Sequence, residues 1–418
     1  MKTQTYTVDD FLFLKVKKLW AHFKTESFAF KCVCAYMFVE YFRPQAIFKW
    51  LDFLPWAQLF LGLAIIGIFT DSKAKLRFTA MHTFLIFFAV IIHLSMITAY
   101  DVGWSFDYYI FFIQWIIIFF VITSIVTTRE RFYIFFMVFF LCCLKIAIGT
   151  SRIWIMRGFG FTSWGLMGPP GYFQNSGELA VLMLVLFPIG YYLYKAYKND
   201  VRRWEKYLLL AATICPILTI LGSSSRGAQI ALVIQLLLMF YKQIFKPKVL
   251  ILIVLICSIG WNILPEEQKL RFTEIGEDKS SIQRKLYWEH GWDMMKDNPI
   301  LGVGYYNFQP YYQDHYFKDV LYSYAQLPHN ILIQIGTDSG FTGLLIYLLI
   351  IMASLIMKRP RIGTSSIVSE PFYNALWISL KLGVVGFFIA GQFVTIGYYP
   401  FLWISIALQI SLISSFTK

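Results

Sequence analysis

Residues 108–128 read YYIFFIQWIIIFFVITSIVTT, a run of apolar and aromatic residues without a single charged side chain. A helix needs about 20 such residues to cross the hydrocarbon core of a bilayer, and this stretch meets that length. Lipid offers no hydrogen-bond partner to the backbone, so an isolated segment that crosses it must be helical. The run therefore predicts a transmembrane helix and makes the bilayer the solvent for the fold.

Similar runs fill most of the chain. Of its 418 residues, 58% are hydrophobic and only 15% carry a charge, which is more apolar surface than a soluble core needs. Counting the runs of spanning length predicts about twelve helices. The expected helices are centred near residues 35, 62, 88, 118, 140, 187, 214, 237, 256, 343, 384 and 408.

The basic residues indicate which side of the membrane each loop occupies. Their surplus gives a net charge of +13, and they cluster in loops that share one side when the helices alternate. By the positive-inside rule that side is the cytoplasm, so both termini are expected to be cytoplasmic. The clusters are the N-terminal segment, Lys73 to Arg77, Arg129 with Arg131, Lys195 to Lys206, Lys242 to Lys248, and Lys358 to Arg361. The charge is thus a topology signal, and no nucleic acid partner is expected.

We predict an all-α integral membrane protein of about twelve transmembrane helices, with one long periplasmic insert between the ninth and the tenth. Residues 1–264 would hold helices 1–9 with short loops, residues 265–328 a periplasmic loop domain, and residues 329–418 helices 10–12. Loops as long as this insert are usually functional or disordered. Its many aromatic residues argue against disorder.

The first candidate site is Gly222-Ser223-Ser224-Ser225-Arg226-Gly227, between two apolar runs on the expected periplasmic side. Arg226 contradicts the positive-inside bias there. The residues from 227 onward have a helical pattern, so the first amides of that helix, Ser225 and Arg226 could form an anion site. The alternative is an arginine that snorkels to the interface beside a Gly/Ser turn.

The second candidate is Arg284, in an amphipathic segment at residues 282–297. On a helical wheel it shares a face with Trp288, Gly291 and Met295, opposite the acidic face. A guanidinium on a buried face needs an anionic partner, and a phosphate or carboxylate fits its planar donors. Snorkelling from the helix end remains the alternative.

The third candidate is His329, in Pro328-His329-Asn330 at the start of a predicted span. A glycine stripe follows on the face of His329 and would let another helix approach closely beneath it. Ile333 lies on the same face, and the glycines of the stripe are Gly336, Gly340 and Gly343. A histidine can abstract a proton near neutral pH, although a histidine at an interface is more often a structural residue.

The expected periplasmic loops contain no Asp-x-Asp pair for a divalent metal, and the chain has no P-loop and no Gly-x-Ser-x-Gly elbow. We therefore expect neither a metal nor a cofactor. If a diphosphate binds here, arginines must balance its charge.

These three features, in this order, resemble the O-antigen ligase and polymerase family. The resemblance covers about residues 205 to 350 and rests on three motifs: Ser225-Arg226-Gly227-Ala228, Arg284 with Asp297 to Phe308, and His329-Asn330 followed by Asp338 to Gly343. Residues 171–176 resemble a further family element but lack its Asn-Pro-Asn, and Asp338 stands where members often carry Glu.

The resemblance implies a metal-independent inverting glycosyltransferase in the bacterial inner membrane, with its active site on the periplasmic side. Its donor would be a glycan on undecaprenyl diphosphate, and its acceptor lipid A core or another glycan. Arg226 and Arg284, with Ser225, would bind the departing diphosphate, and His329 would orient or deprotonate the acceptor hydroxyl. Sugar or acceptor contacts are expected from Trp288, Tyr305, Tyr306 and Asn330.

Other functions stay open. Within the family, ligation to lipid A core, polymerisation of repeat units and transfer to protein use closely related sequences. A lipid-linked glycan transporter would instead place ionisable groups along a pathway at mid-membrane depth. A non-catalytic scaffold of an export complex would not need Arg226, Arg284 and His329 to meet in one cavity.

Overall fold

The computed structural model describes residues 6–162, 165–244, 246–247, 276–361 and 368–417, together with the single residues 258, 262 and 269. These described residues form helices and no strand, which confirms the all-α prediction for them. The main helices of the first half are α1 Val8–Phe11, α2 Val16–Thr25, α3 Phe28–Phe42, α4 Pro44–Ile47, α5 Trp56–Ile68, α6 Ala80–Ile97, α7 Val102–Ile125 and α8 Arg129–Met156. Those of the second half are α9 Ser176–Tyr197, α10 Arg203–Gly222, α11 Arg226–Ile244, α12 Lys279–Asp297, α13 Phe308–His315, α14 Ile331–Ile356, α15 Glu370–Ala390 and α16 Pro400–Ser414. Short 3₁₀ turns occupy Lys49–Leu51 and Phe317–Asp319.

Seven of the described helices are long and apolar enough to cross a membrane: α6, α7, α8, α9, α10, α14 and α15. Two shorter apolar helices, α5 and α16, accompany them. The chain is therefore a multi-pass membrane protein. Every predicted centre except the one near residue 256 lies inside a described helix. That segment and most of residues 265–275 fall outside the described residues, so the count of twelve and the periplasmic insert stay predictions.

The short helix α16 forms the centre of the bundle. Every residue from Phe401 to Leu412 is buried, whereas a helix at the lipid boundary buries only one face. The indole N–H of Trp403 donates to the carbonyl of Tyr398 at 2.9 Å, which satisfies its one polar atom inside the core. Around this helix, α9 packs against α10 and α15, and α3 packs against α5 and α8.

A buried ion network closes one end of the bundle. The guanidinium of Arg131 is fully buried and contacts Glu26 at 2.8 Å and Asp71 at 2.7 Å. It ties α8 to the start of α3 and to the loop after α5. We call this the basic end, because Lys73 joins the network at Glu26 and Arg77 donates to the carbonyl of Thr417.

The opposite end, where α10 ends and α11 and α14 begin, is called the site end below. The described part of the insert lies on it, since the side-chain amide of Asn307 accepts from the N–H of Asp101 at 2.6 Å and donates to its carbonyl at 3.1 Å. These bonds join the insert to the α6–α7 connection. The Asn307 side chain therefore fixes the described part of the insert to the helix bundle.

Helix α12 packs directly on the start of α14. A Cβ at Gly336 would collide with the Met295 side chain, and one at Gly291 would collide with Ile333. At Gly340 the backbone has φ +66 and interrupts α14, where the chain at Pro299 and Ile300 lies against it. The close helix approach that the glycine stripe predicts beneath His329 is confirmed, and its partner is α12.

Candidate active site

A cavity of about 870 Å³ opens at the site end. Its walls come from the starts of α9, α11 and α12, from the residues before α14, and from the connection between α15 and α16. The lining includes Ser225, Arg226, Arg284, Trp288 and His329. The three sequence segments that carry the predicted site therefore meet in one cavity. What each residue does there stays a prediction at this point.

Arg226 is the first residue of α11, so it lies at the helix N-terminus, where the first amides point away from the helix and toward the site end. The Ser225 hydroxyl accepts from the N–H of Ala228 at 3.4 Å, and Ser224 has a left-handed backbone with φ +58. The Ser224 hydroxyl lines the cavity and is buried without a hydrogen-bond partner. This turn therefore presents amides, a hydroxyl and a guanidinium to the cavity, as an anion site requires.

Asp278 balances part of this charge. Its carboxylate contacts the Arg226 guanidinium at 3.3 Å and accepts a hydrogen bond from the Ser281 hydroxyl. Burial raises the pKa of Asp278, but the bond from Ser281 and the positive charge of Arg226 outweigh burial, so the pKa lies below its usual value. Asp278 is therefore ionised and holds Arg226 in position at the cavity wall.

Arg284 lies on α12, one helical turn before Trp288, with its guanidinium half-buried. Its Nε is buried and has no hydrogen-bond partner within the described part of the chain. Burial and the positive charge of Arg226 lower the pKa of Arg284, so a cation is held where it is poorly solvated. An anion in the cavity would satisfy the unpaired N–H and relieve the repulsion between the two arginines.

His329 is held in an uncommon backbone conformation, with φ +52. Its N–H donates to the Thr395 hydroxyl at 2.9 Å, and the indole N–H of Trp288 donates to the preceding Pro328 carbonyl at 2.9 Å. Bonds on both sides thus hold the backbone of His329 at the cavity wall. Burial and the charge of Arg284 lower the pKa of His329 to about 4, so at neutral pH the ring is uncharged and can accept a proton.

The remaining predicted contacts lie elsewhere. Asn330 is buried and caps α14, where its side-chain oxygen accepts from the N–H groups of Leu332 and Ile333. Tyr305 and Tyr306 line a separate cavity of about 190 Å³, which we call the aromatic chamber. It is walled by Tyr108, Phe111, Trp115, Tyr172, Tyr305, Tyr306, Gln334, Tyr398 and Tyr399. A sugar-binding role for these residues is untested and stays a prediction.

Sequence reasoning missed two carboxylates of the cavity, Asp278 and Glu178. Glu178 stands in the first turn of α9 and accepts a hydrogen bond from the Tyr399 hydroxyl at 2.6 Å. The available signal was a carboxylate at the start of an apolar run, directly after the 171–176 stretch. Among the described residues no three His, Cys, Asp or Glu side chains are grouped to hold a metal ion, so the cavity offers an incoming anion mainly arginines.

Comparison with known families agrees with this geometry. Residues 211–348 match the family described as O-antigen ligase, and residues 9–198 match a family of unknown function. No curated protein matches the chain. The first match contains Arg226, Arg284 and His329, and the expected resemblance is thereby confirmed. The chain is a multi-pass membrane protein whose residues 211–348 are similar to the O-antigen ligase family.

Proposed function

We propose that this protein transfers a glycan from undecaprenyl diphosphate to a hydroxyl of lipid A core at the periplasmic face of the bacterial inner membrane. One observation carries the proposal: Arg226, Arg284 and His329 are far apart in sequence and line one cavity at one end of the helix bundle. Two cations and a neutral base in one cavity match a reaction in which a diphosphate leaves and a hydroxyl attacks.

The arginines act on the leaving group. In the reaction, the acceptor oxygen bonds to the anomeric carbon while the bond from that carbon to the diphosphate oxygen breaks, and the diphosphate keeps the electron pair. Negative charge grows on the departing oxygen in the transition state. Fixed guanidinium groups aimed at that oxygen stabilise the transition state more than the ground state. Attack opposite to the leaving group inverts the anomeric centre, and no step requires a metal.

His329 takes the acceptor proton or holds the hydroxyl in place. In the empty cavity its pKa of about 4 keeps it neutral but makes it a weak base. A bound diphosphate neutralises the nearby arginines, which raises the pKa of the imidazole. The donor therefore makes His329 a stronger base at the moment when the acceptor must be deprotonated.

The membrane orientation follows from the charge of the two ends. The basic end holds Lys73, Arg77 and Arg129, and the positive-inside rule assigns such an end to the cytoplasm. The cavity then opens to the periplasm, where lipid-linked glycans and lipid A core would meet. Both termini lie on the cytoplasmic side in this arrangement.

Two other functions remain as alternatives. A polymerase of the same family would use the same cavity with a growing polysaccharide as acceptor. A transporter is less well supported, because ionisable groups inside the helices are bound to the protein itself: Lys145 donates to the Phe42 carbonyl, and Lys381 to the carbonyls of Leu355 and Met357. None of these groups lines the cavity.

The test is reconstitution. Purified protein in liposomes is incubated with a glycan on undecaprenyl diphosphate and, separately, with lipid A core, repeat-unit glycan or a peptide as acceptor, and the products are identified by mass spectrometry. We expect glycosylated lipid A core and free undecaprenyl diphosphate. Elongated glycan as the sole product would identify a polymerase. Absence of any transfer, with movement of the donor across the bilayer, would support the transporter and refute the enzyme.

A further inference from the structure

A third cavity, of about 340 Å³, lies in the N-terminal half of the chain, outside the O-antigen ligase match. It is formed by the end of α3, the start of α5, the middle of α7 and the Gly171–Tyr172 turn. We call it the N-terminal cavity. The guanidinium of Arg43 packs against Gly171, where any side chain would collide with it, so the turn closes directly on the end of α3.

The lining of the N-terminal cavity combines aromatic faces with uncharged hydrogen-bonding groups. Trp56, Trp115 and Tyr172 supply the faces, and the indole of Trp115 is fixed by donating to the Tyr172 hydroxyl at 3.1 Å. The amides of Gln45 and Gln114 lie among them. Such a mixture of rings and a few placed polar groups is typical of a small-molecule site.

The charged groups of this cavity do not favour an anion. Glu40 and Arg43 form an ion pair at 3.1 Å, and the carboxylate of Asp52 also lines the wall. The cavity of Arg226, Arg284 and His329, called the catalytic cavity below, instead holds two neighbouring arginines. The Gln45 carbonyl oxygen is buried and accepts no hydrogen bond from the residues that the structure describes, which is costly unless a ligand donates to it. A neutral ligand with hydroxyl donors and flat apolar faces meets both requirements. A sugar ring has this chemistry, whereas a hydrocarbon chain would leave the amides unsatisfied.

The N-terminal cavity also leads to the catalytic cavity. It shares Phe111, Trp115 and Tyr172 with the aromatic chamber, so the two are adjacent. On its other side the chamber contains Tyr399, whose hydroxyl donates to Glu178 in the catalytic cavity at 2.6 Å. The three cavities thus follow one another along the site end, and the surfaces between them are aromatic.

We propose that the aromatic chamber and the N-terminal cavity form a carbohydrate subsite, which binds sugar rings remote from the bond that is transferred. The inference rests on the proposed function, since it places a substrate glycan in the catalytic cavity. Sugar faces lie against Trp56, Trp115 and Tyr172, and hydroxyls bond to Gln45 and Gln114. The region that matches a family of unknown function then contributes to recognition of the glycan.

The experiment measures binding by the full chain in detergent. The probe is the oligosaccharide released by mild acid from the lipid-linked glycan of cells that make this protein, and the second probe is inorganic pyrophosphate. Each Kd is measured by titration calorimetry for the wild type and for Trp56→Ala, Gln114→Leu and Arg284→Ala. The matched control is Trp50→Ala, a tryptophan that is 73% exposed and lines none of the three cavities.

We expect the wild type and Trp50→Ala to bind the oligosaccharide equally, and Trp56→Ala to weaken it about tenfold, since an aromatic contact of about 1.4 kcal/mol corresponds to that factor. Gln114→Leu should weaken oligosaccharide binding severalfold while preserving the fold. Arg284→Ala should weaken the binding of pyrophosphate and leave that of the oligosaccharide unchanged. Oligosaccharide binding within twofold of the wild type in both Trp56→Ala and Gln114→Leu would overturn the subsite.

Steady-state kinetics of glycan transfer then show whether the sugars bound in the subsite belong to the donor or to the acceptor. A raised KM for the acceptor with an unchanged KM for the donor in Gln114→Leu assigns the subsite to the acceptor glycan, and the reverse assigns it to the donor glycan. Failure of the proposed function can be distinguished from failure of the subsite. In the first case the wild type neither binds pyrophosphate nor forms product. The oligosaccharide titration still decides the subsite in that case.

Discussion

Replacing Arg284 by alanine should nearly abolish glycan transfer without unfolding the protein. The guanidinium has a buried Nε at the cavity wall, and no described residue bonds to that Nε or forms an ion pair with Arg284, so its removal breaks no such contact among the described residues. The substitution should therefore reduce the stabilisation of the transition state and leave the folding stability unchanged. Removing one preorganised donor from a developing oxyanion costs about 10² to 10³ in rate, or about 2.7–4 kcal/mol.

A lysine at the same position should rescue poorly. An ammonium restores the charge but lacks the planar pair of N–H groups that binds two phosphate oxygens at once. We expect Arg284→Lys to remain at least about tenfold below the wild type, which corresponds to about 1.4 kcal/mol of lost transition-state stabilisation. The ratio of the two variants separates the contribution of charge from that of geometry.

The assay is the initial rate of product formation in proteoliposomes, at saturating and at limiting donor. The matched control is Lys296→Ala, on the same helix, because Lys296 is exposed and forms an ion pair with Asp293 outside the cavity. Melting temperatures measured in detergent show whether each variant is folded. A folded Arg284→Ala protein that retains a third or more of the wild-type kcat/KM would refute the assignment of Arg284 to the leaving group.

Three further predictions concern the metal, the base and the fold. Transfer should survive EDTA, and full loss on chelation that Mg²⁺ or Mn²⁺ restores would show that a metal does the work assigned to the arginines. If neutral His329 is required, kcat/KM should fall as the pH drops through about 4, and kcat should fall at a higher pH because bound diphosphate raises the pKa of His329. The His329→Gln protein should show neither decrease. A decrease of kcat at the same pH as that of kcat/KM, or at a lower pH, would contradict the electrostatic coupling. Arg131→Met should lower the stability by about 3–5 kcal/mol, because Asp71 loses its buried cation and Glu26 keeps Lys73 but loses the guanidinium. An unchanged melting temperature would show that the network is not structural.

The positions of the helices and of the candidate residues were predictable because they depend on local pattern. Long apolar runs locate the described helices α3, α5 to α11 and α14 to α16, and the Gly336 face predicts a close neighbour. That this neighbour is α12, through Met295, depends on tertiary packing, which periodicity does not encode.

The features of the site that the sequence did not predict also depend on tertiary packing. The sugar or acceptor contact that the resemblance implies for Asn330 stays a prediction, while the structure gives its side chain a second role: it stands before the first turn of α14 and accepts from the amides of Leu332 and Ile333. Glu178 reaches the cavity only because α9 begins beside Tyr399, more than two hundred residues later in the chain. Contacts between distant segments of this kind leave no periodic signal in the sequence.

The left-handed backbone at His329 sets stability against activity at one position. A residue other than glycine in the left-handed region costs about 1–3 kcal/mol. Two hydrogen bonds must offset this strain, one from the His329 N–H to Thr395 and one from Trp288 to the Pro328 carbonyl. Glycine would adopt the same backbone without that strain, yet it would remove the imidazole. The conformational entropy of orienting the base is therefore lost when the chain folds, so none of it has to be supplied by the binding energy of the substrates.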